Sequence, residues 1–218
     1  MRIPSRELST RTLLDLHGAY LGARLKVDPR TVGLHPAFLQ ATAALRAADE
    51  RQRRALAELQ EAQSARDYAA FVLDDVLGQF EPAVLTAAGR DRRGALFRRY
   101  FPKSLSLLVR LRPAEQVEWV RSIETDLAEA TAPAALRPWL PRLAELRAKL
   151  EKAIDAWREA SIARSTARFA ERHERSRWLY AYQAVHADLI KAFPGARRKV
   201  ESFFRRAPAP DVEDDPAA

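Results

Sequence analysis

Few residues in this chain have the types and spacing that chemistry needs. Glu171 and Glu174 stand three apart in Glu171-Arg172-His173-Glu174, which places two carboxylates on one helical face. A dinuclear metal centre in a helical bundle draws Glu-x-x-His pairs from two helices and further glutamates from two others. No Glu-x-x-His occurs, and Arg172, Arg175 and Arg177 crowd the two acids. The expectation there is a solvated charged face. His17, His35 and His186 are isolated, as surface or half-buried histidines are. Asp74 and Asp75 are adjacent, so on a helix they point about 100° apart and cannot act on one substrate atom. One of them is expected to pair with an arginine of a neighbouring helix. There is no Gly-x-Ser-x-Gly, no Walker A sequence and no Gly-x-Gly-x-x-Gly. The chain has no cysteine, which removes thiolate nucleophiles, thiolate metal sites and disulfides. The expectation is a protein that is not an enzyme and needs no cofactor or metal.

One segment carries unusual charge. Residues 90–112 hold eight basic side chains against a single acid, Asp91. Arg90, Arg92, Arg93, Arg98, Arg99, Lys103, Arg110 and Arg112 form a candidate polyanion-binding set, because arginines neutralise phosphates and Phe or Tyr can stack on bases. The competing reading uses the same residues structurally. Leu96, Phe97, Tyr100 and Phe101 share one side of a short helix and would anchor it, while the arginines answer acids elsewhere. Arg197-Arg198-Lys199 with Arg205-Arg206 is a weaker basic patch.

The elements that must position these residues are helical. Of 218 residues, 41 are Ala, 31 are Arg and none is Asn; 47% are apolar and 30% charged, with a formal net charge of +8. Ala, Arg, Leu and Glu lose little rotamer freedom in a helix, and no segment alternates as a strand does. The pattern predicts short helices at about 9–26, 83–132 and 197–206, and long ones at about 36–80 and 139–193. At 1.5 Å per residue the long helices would each span roughly 65–80 Å. Pro82 is expected to end or kink the first of them near Phe80. Gly18 and Gly22 stand four apart, and either admit a close neighbour or simply weaken their helix, the second being the plainer reading.

Leu45, Leu59, Leu73 and Phe80 keep a seven-residue spacing over five heptads, interrupted by Gln52 and Arg66. Leu143, Leu150 and Trp157 repeat it on the second long helix, and Trp178 renews the apolar order further along. These eight apolar residues form a candidate helix-pairing seam, and its polar interruptions act as devices that set register or partner. The fold expected is all-α: a long, coiled-coil-like antiparallel hairpin with shorter helices capping one end. Residues 1–206 would form a single helical domain, and the acidic, proline-rich residues 207–218 a disordered tail.

No apolar run reaches the ~18 residues of a membrane span, and the N-terminus lacks a signal-like apolar core. A cytoplasmic protein is expected. The functional expectation is a non-enzymatic helical scaffold or interaction protein whose partner is another protein or a second copy. The alternative is a nucleic-acid-binding module using residues 90–112.

Overall fold

A computed structural model describes residues 4–5 and 7–205. The tail expected to be disordered, 207–218, lies outside the described residues. Among them every regular element is helical: α1 (Thr10–Thr12), a π-helical turn (Leu13–Gly18), α2 (Ala19–Val27), a 3₁₀ turn (Val32–Leu34), α3 (His35–Ala87), α4 (Ala95–Tyr100), α5 (Leu105–Leu108), α6 (Pro113–Ala128), a second 3₁₀ turn (Arg137–Trp139), α7 (Leu140–Ala192) and α8 (Arg197–Glu201). Helices α3 and α7 run 53 residues each. The chain packs as two compact units. Residues up to 54 join those from 165 onward in the first, and residues 55–164 form the second.

In the first unit the N-terminal half of α3 and the C-terminal half of α7 lie antiparallel. Trp178 Nε1 donates to Thr42 Oγ1 at 3.1 Å, while Phe38, earlier on α3, packs on Tyr182, later on α7, with ring centroids 6.2 Å apart. Leu13, Leu14, Leu21 and Leu25 close one side of this pair, and Val200, Phe203 and Phe204 another; all are buried. The π turn is a departure from the single helix expected over 9–26. Its wider turn accommodates an extra residue and shifts the phase of the buried face. It also sets Gly18 against the tryptophan. A β-carbon there would stand 3.3 Å from Trp178 Cζ2, whereas one at Gly22 meets nothing within 4 Å. Gly18 is therefore a close-approach glycine. Thr31, fully buried, ties the α2–α3 connector by donating its hydroxyl to the Leu25 carbonyl at 2.9 Å.

In the second unit α3 and α7 are again antiparallel: Arg66 meets Trp157, and Phe80, farther along α3, meets Trp139, earlier than Trp157 in the chain. The expected break near Phe80 does not occur, and α3 continues through Pro82 to Ala87. Proline in a helix interior removes a hydrogen bond and costs about 3 kcal/mol. Phe80 and Val84, which flank it on one face, are both fully buried. Burying each is worth roughly 1.5–3 kcal/mol, enough to hold the helix across the lesion. Helices α4–α6 cover this end through Phe97, Tyr100, Phe101, Val117, Val120, Ile123 and Leu127. Trp119 Nε1 donates to the Tyr100 carbonyl at 3.1 Å. Arg147 of α7 ties down α6 by bonding Glu124 at 2.6 Å.

Asp74 of α3 finds a glutamine, not an arginine: Gln116 of α6, only 2% exposed, donates its side-chain amide to Asp74 Oδ1. Asp75 accepts from Gln79 at 2.9 Å. Burial pushes the Asp74 carboxyl above its ordinary pKa, with the Gln116 bond opposing. A raised carboxyl binds its proton more tightly folded than unfolded, so folding stability falls as pH rises from the usual aspartate pKa through the folded one. Asp74→Asn keeps an acceptor for Gln116 and removes the charge. The variant is expected to melt above the wild type near neutral pH. The two should coincide once the medium is acid enough to protonate aspartate in the unfolded chain. Thermal melts across pH read this directly; a variant that melts lower at neutral pH would contradict it.

Candidate functional site

The basic segment begins where α3 ends. Gly89 and Arg90 both adopt φ of 65°, in the left-handed region, and Arg90 N–H donates to the Leu85 carbonyl at 2.8 Å. This turns the chain sharply and leaves Arg90 exposed. The aromatic residues of the segment do not face outward. Phe97, Tyr100 and Phe101 are at most 6% exposed and stack among themselves and against Phe80. They are the anchor of α4 and offer no face to a nucleobase.

Two of the eight cations are occupied within the chain. Arg99 binds Asp126 at 2.8 Å and also Glu129, which holds the Glu129 carboxyl below its usual range. Arg92 approaches Glu81 at 3.5 Å and lies over the Phe97 ring at 5.9 Å. Arg90, Arg93, Arg98, Lys103, Arg110 and Arg112 are exposed and make no side-chain ion pair among the described residues. Arg92, Arg98 and Lys103 line a crevice of about 550 Å³ beside Phe97 and Phe101.

The seam residues are brought together, but unevenly. In the first unit Leu45 and Trp178 are fully buried. In the second, Leu73, Phe80, Leu143 and Leu150 are fully buried, whereas Leu59 and Trp157 are only half-buried. Arg66, the polar interruption in the pattern, sits over the Trp157 ring at 4.5 Å and pairs with Asp67. A cation over an indole contributes about 0.5–2 kcal/mol, so Arg66 is an internal partner for Trp157. In this stretch Tyr68, Phe71 and Ile162 are each about two-thirds exposed, at 69%, 67% and 68%.

His17 and His186 each sit against an aromatic ring. His17 meets Tyr182 edge-on, and burial lowers its pKa, with Arg205 adding to the effect. His186 packs against Phe204 and is lowered mainly by burial. Both are aromatic packing groups. No cluster of three or more His, Asp or Glu side chains suited to a metal ion occurs among the described residues. None of the described helices is long and apolar enough to cross a membrane. The expected solvated face at Glu171 is not what folds: Glu171 is buried and accepts a hydrogen bond from Thr10 Oγ1. The first-unit leucines brought the N-terminal segment over it, a contact 161 residues apart in sequence.

No family model matches this chain, and neither a curated protein nor a solved structure matches it.

Proposed function

We propose that the protein is a non-enzymatic, cytoplasmic helical scaffold that engages a partner helix, in the first instance that of a second copy, along the half-open seam of its second unit. The observation that carries this reading is the burial contrast between equivalent seam positions. Leu73, Phe80, Leu143 and Leu150 are sealed by the α4–α6 cover, while Leu59 and Trp157 are not, and Tyr68, Phe71 and Ile162 of the same stretch are exposed. A leucine and a tryptophan at heptad positions are core residues by type, and further helices complete such a core in a coiled-coil assembly. Exposed aromatic residues on the same helices are the anchors helical interfaces use.

Sedimentation equilibrium over a range of protein concentrations tests it. A concentration-dependent dimer that survives added salt is expected, because the contact is apolar. Leu59→Ser, at a half-buried seam position, should weaken association about tenfold or more, the equivalent of losing one buried apolar anchor. A strict monomer at every concentration that also retains no protein partner in pull-downs would count decisively against the scaffold reading.

A second reading rests on the unpaired cations of the basic segment. Arg90, Arg93, Arg98, Lys103, Arg110 and Arg112 would engage a polyanion such as a nucleic acid through its phosphates alone, because the aromatics are withdrawn into the core. Affinity would then be insensitive to sequence and fall steeply with salt.

A further inference from the structure

We infer that the first unit carries a binding site for the phosphoryl groups of a soluble oligophosphate, in a polar cleft between the first turn of α1 and the facing sides of α3 and α7. The cleft encloses about 500 Å³, within the range of small-molecule sites. Its walls include Arg11, Arg53, Arg168, Arg172 and Arg175 against two acids, Asp49 and Glu171.

The acids leave the balance to the arginines. Asp49 is taken by Arg53 one turn along α3, and Glu171 Oε1 accepts from Thr10. Arg11 is paired with Asp15 at 3.4 Å. Arg168, Arg172 and Arg175 make no ion pair among the described residues. They follow one another at steps of four and three on α7, and the Glu171 carboxylate, bonded to a neutral hydroxyl, offsets only one of the three charges, so the face keeps an excess of positive charge that costs helix stability.

Arg175 adds an independent observation. Its Nε and Nη2 are shut off from solvent and have no acceptor in the protein. A buried donor left unpaired carries its full desolvation cost, and native structures rarely leave such groups unexplained. A guanidinium fork matches the oxygens of a phosphate, and a phosphoryl group brings close to two negative charges with three acceptors. An oligophosphate would answer the free guanidinium groups together, where a single carboxylate would leave charge uncompensated. Thr10 and Gln52, also on the wall, supply neutral polar groups at its edge.

Calorimetric titration of the full chain with pyrophosphate is the test. Saturable binding of one pyrophosphate per chain is expected, and Arg175→Gln should weaken it about tenfold or more. Arg98→Gln, in the other unit, should leave it unchanged. Arg175→Gln without ligand should melt no lower than the wild type, because it removes buried donors that have no acceptor; this separates loss of the site from loss of the fold. No saturable binding to the wild type, an undiminished affinity in Arg175→Gln, or an equal loss in Arg98→Gln would each overturn the inference. A parallel arm uses vesicles containing phosphatidic acid. Pyrophosphate binding without vesicle co-sedimentation is the expected outcome. Co-sedimentation abolished by Arg175→Gln would assign the site to a lipid headgroup and overturn the soluble ligand.

Discussion

Trp178→Ala is expected to cost about 3–5 kcal/mol of stability, the range for removing a fully buried large aromatic side chain. The indole is 0% exposed and is the largest fully buried side chain of the first unit. Its ring lies 5.8 Å from Phe38 and 5.2 Å from Tyr182, and its N–H is matched by Thr42. Gly18 has no side chain with which to fill the space left behind. At roughly 2–4 °C per kcal/mol for a chain of this size, the melting temperature should fall by on the order of 10 °C. Trp178→Phe, which keeps most of the ring and loses the hydrogen bond, should retain more than half of the stability lost in the alanine variant. Hydrogen exchange locates the effect: amides of α2 and of α7 around Trp178 should lose protection. A change within experimental error would mean that this cluster does not organise the unit.

Phe80→Ala should be comparably severe in the second unit, again about 3–5 kcal/mol. Phe80 is 0% exposed and sits against Tyr100, Phe101 and Trp139 with centroids 5.5–5.9 Å away. Its loss removes the contact that joins α4 to α3 and to the 3₁₀ turn leading into α7. It also removes half of the clamp around Pro82. The last turn of α3, residues 83–87, should therefore exchange its amide hydrogens faster in the variant, beyond the general loss of protection. If that turn stayed as protected as in the wild type, the claim that flanking burial carries the helix across the proline would fail.

These two clusters show where sequence reading succeeds. An all-α fold followed from local causes: abundant Ala, Leu, Arg and Glu, no alternating segment, and proline or glycine at the ends of elements. Seam positions such as Leu45, Leu73, Leu143 and Leu150 were legible because a seven-residue period is a property of the chain alone. The expected antiparallel pairing of the long helices holds within each unit. The aromatic side of α4 was also readable as an anchor, since four apolar residues in six admit few other arrangements.

Other features depend on residues far apart in the chain. Pro82 reads as a stop when only the helix is considered, and α3 continues because burial on both sides outweighs one missing hydrogen bond. Gly18 reads as a weakness until Trp178 is placed against it. An arginine is the expected neighbour for one of Asp74 and Asp75, yet the side chain that α6 delivers to Asp74 is Gln116. The Glu171 region carries its signal in Arg168, Arg172 and Arg175. A run of arginines on one face with too few acids to balance them calls for an external anion as readily as for solvent.

Periodicity and side-chain propensity are carried by neighbours along the chain, so helix type, helix pairing and the apolar seam could be read before any coordinates. Burial and charge compensation are settled by whichever residues arrive from elsewhere. Only packing could reveal that Leu59 and Trp157 stay half-open, that the basic segment hides its aromatics, and that two nitrogens of Arg175 are enclosed without an acceptor. Each of those outcomes depends on which surface water can reach, and that is a property of the assembled helices.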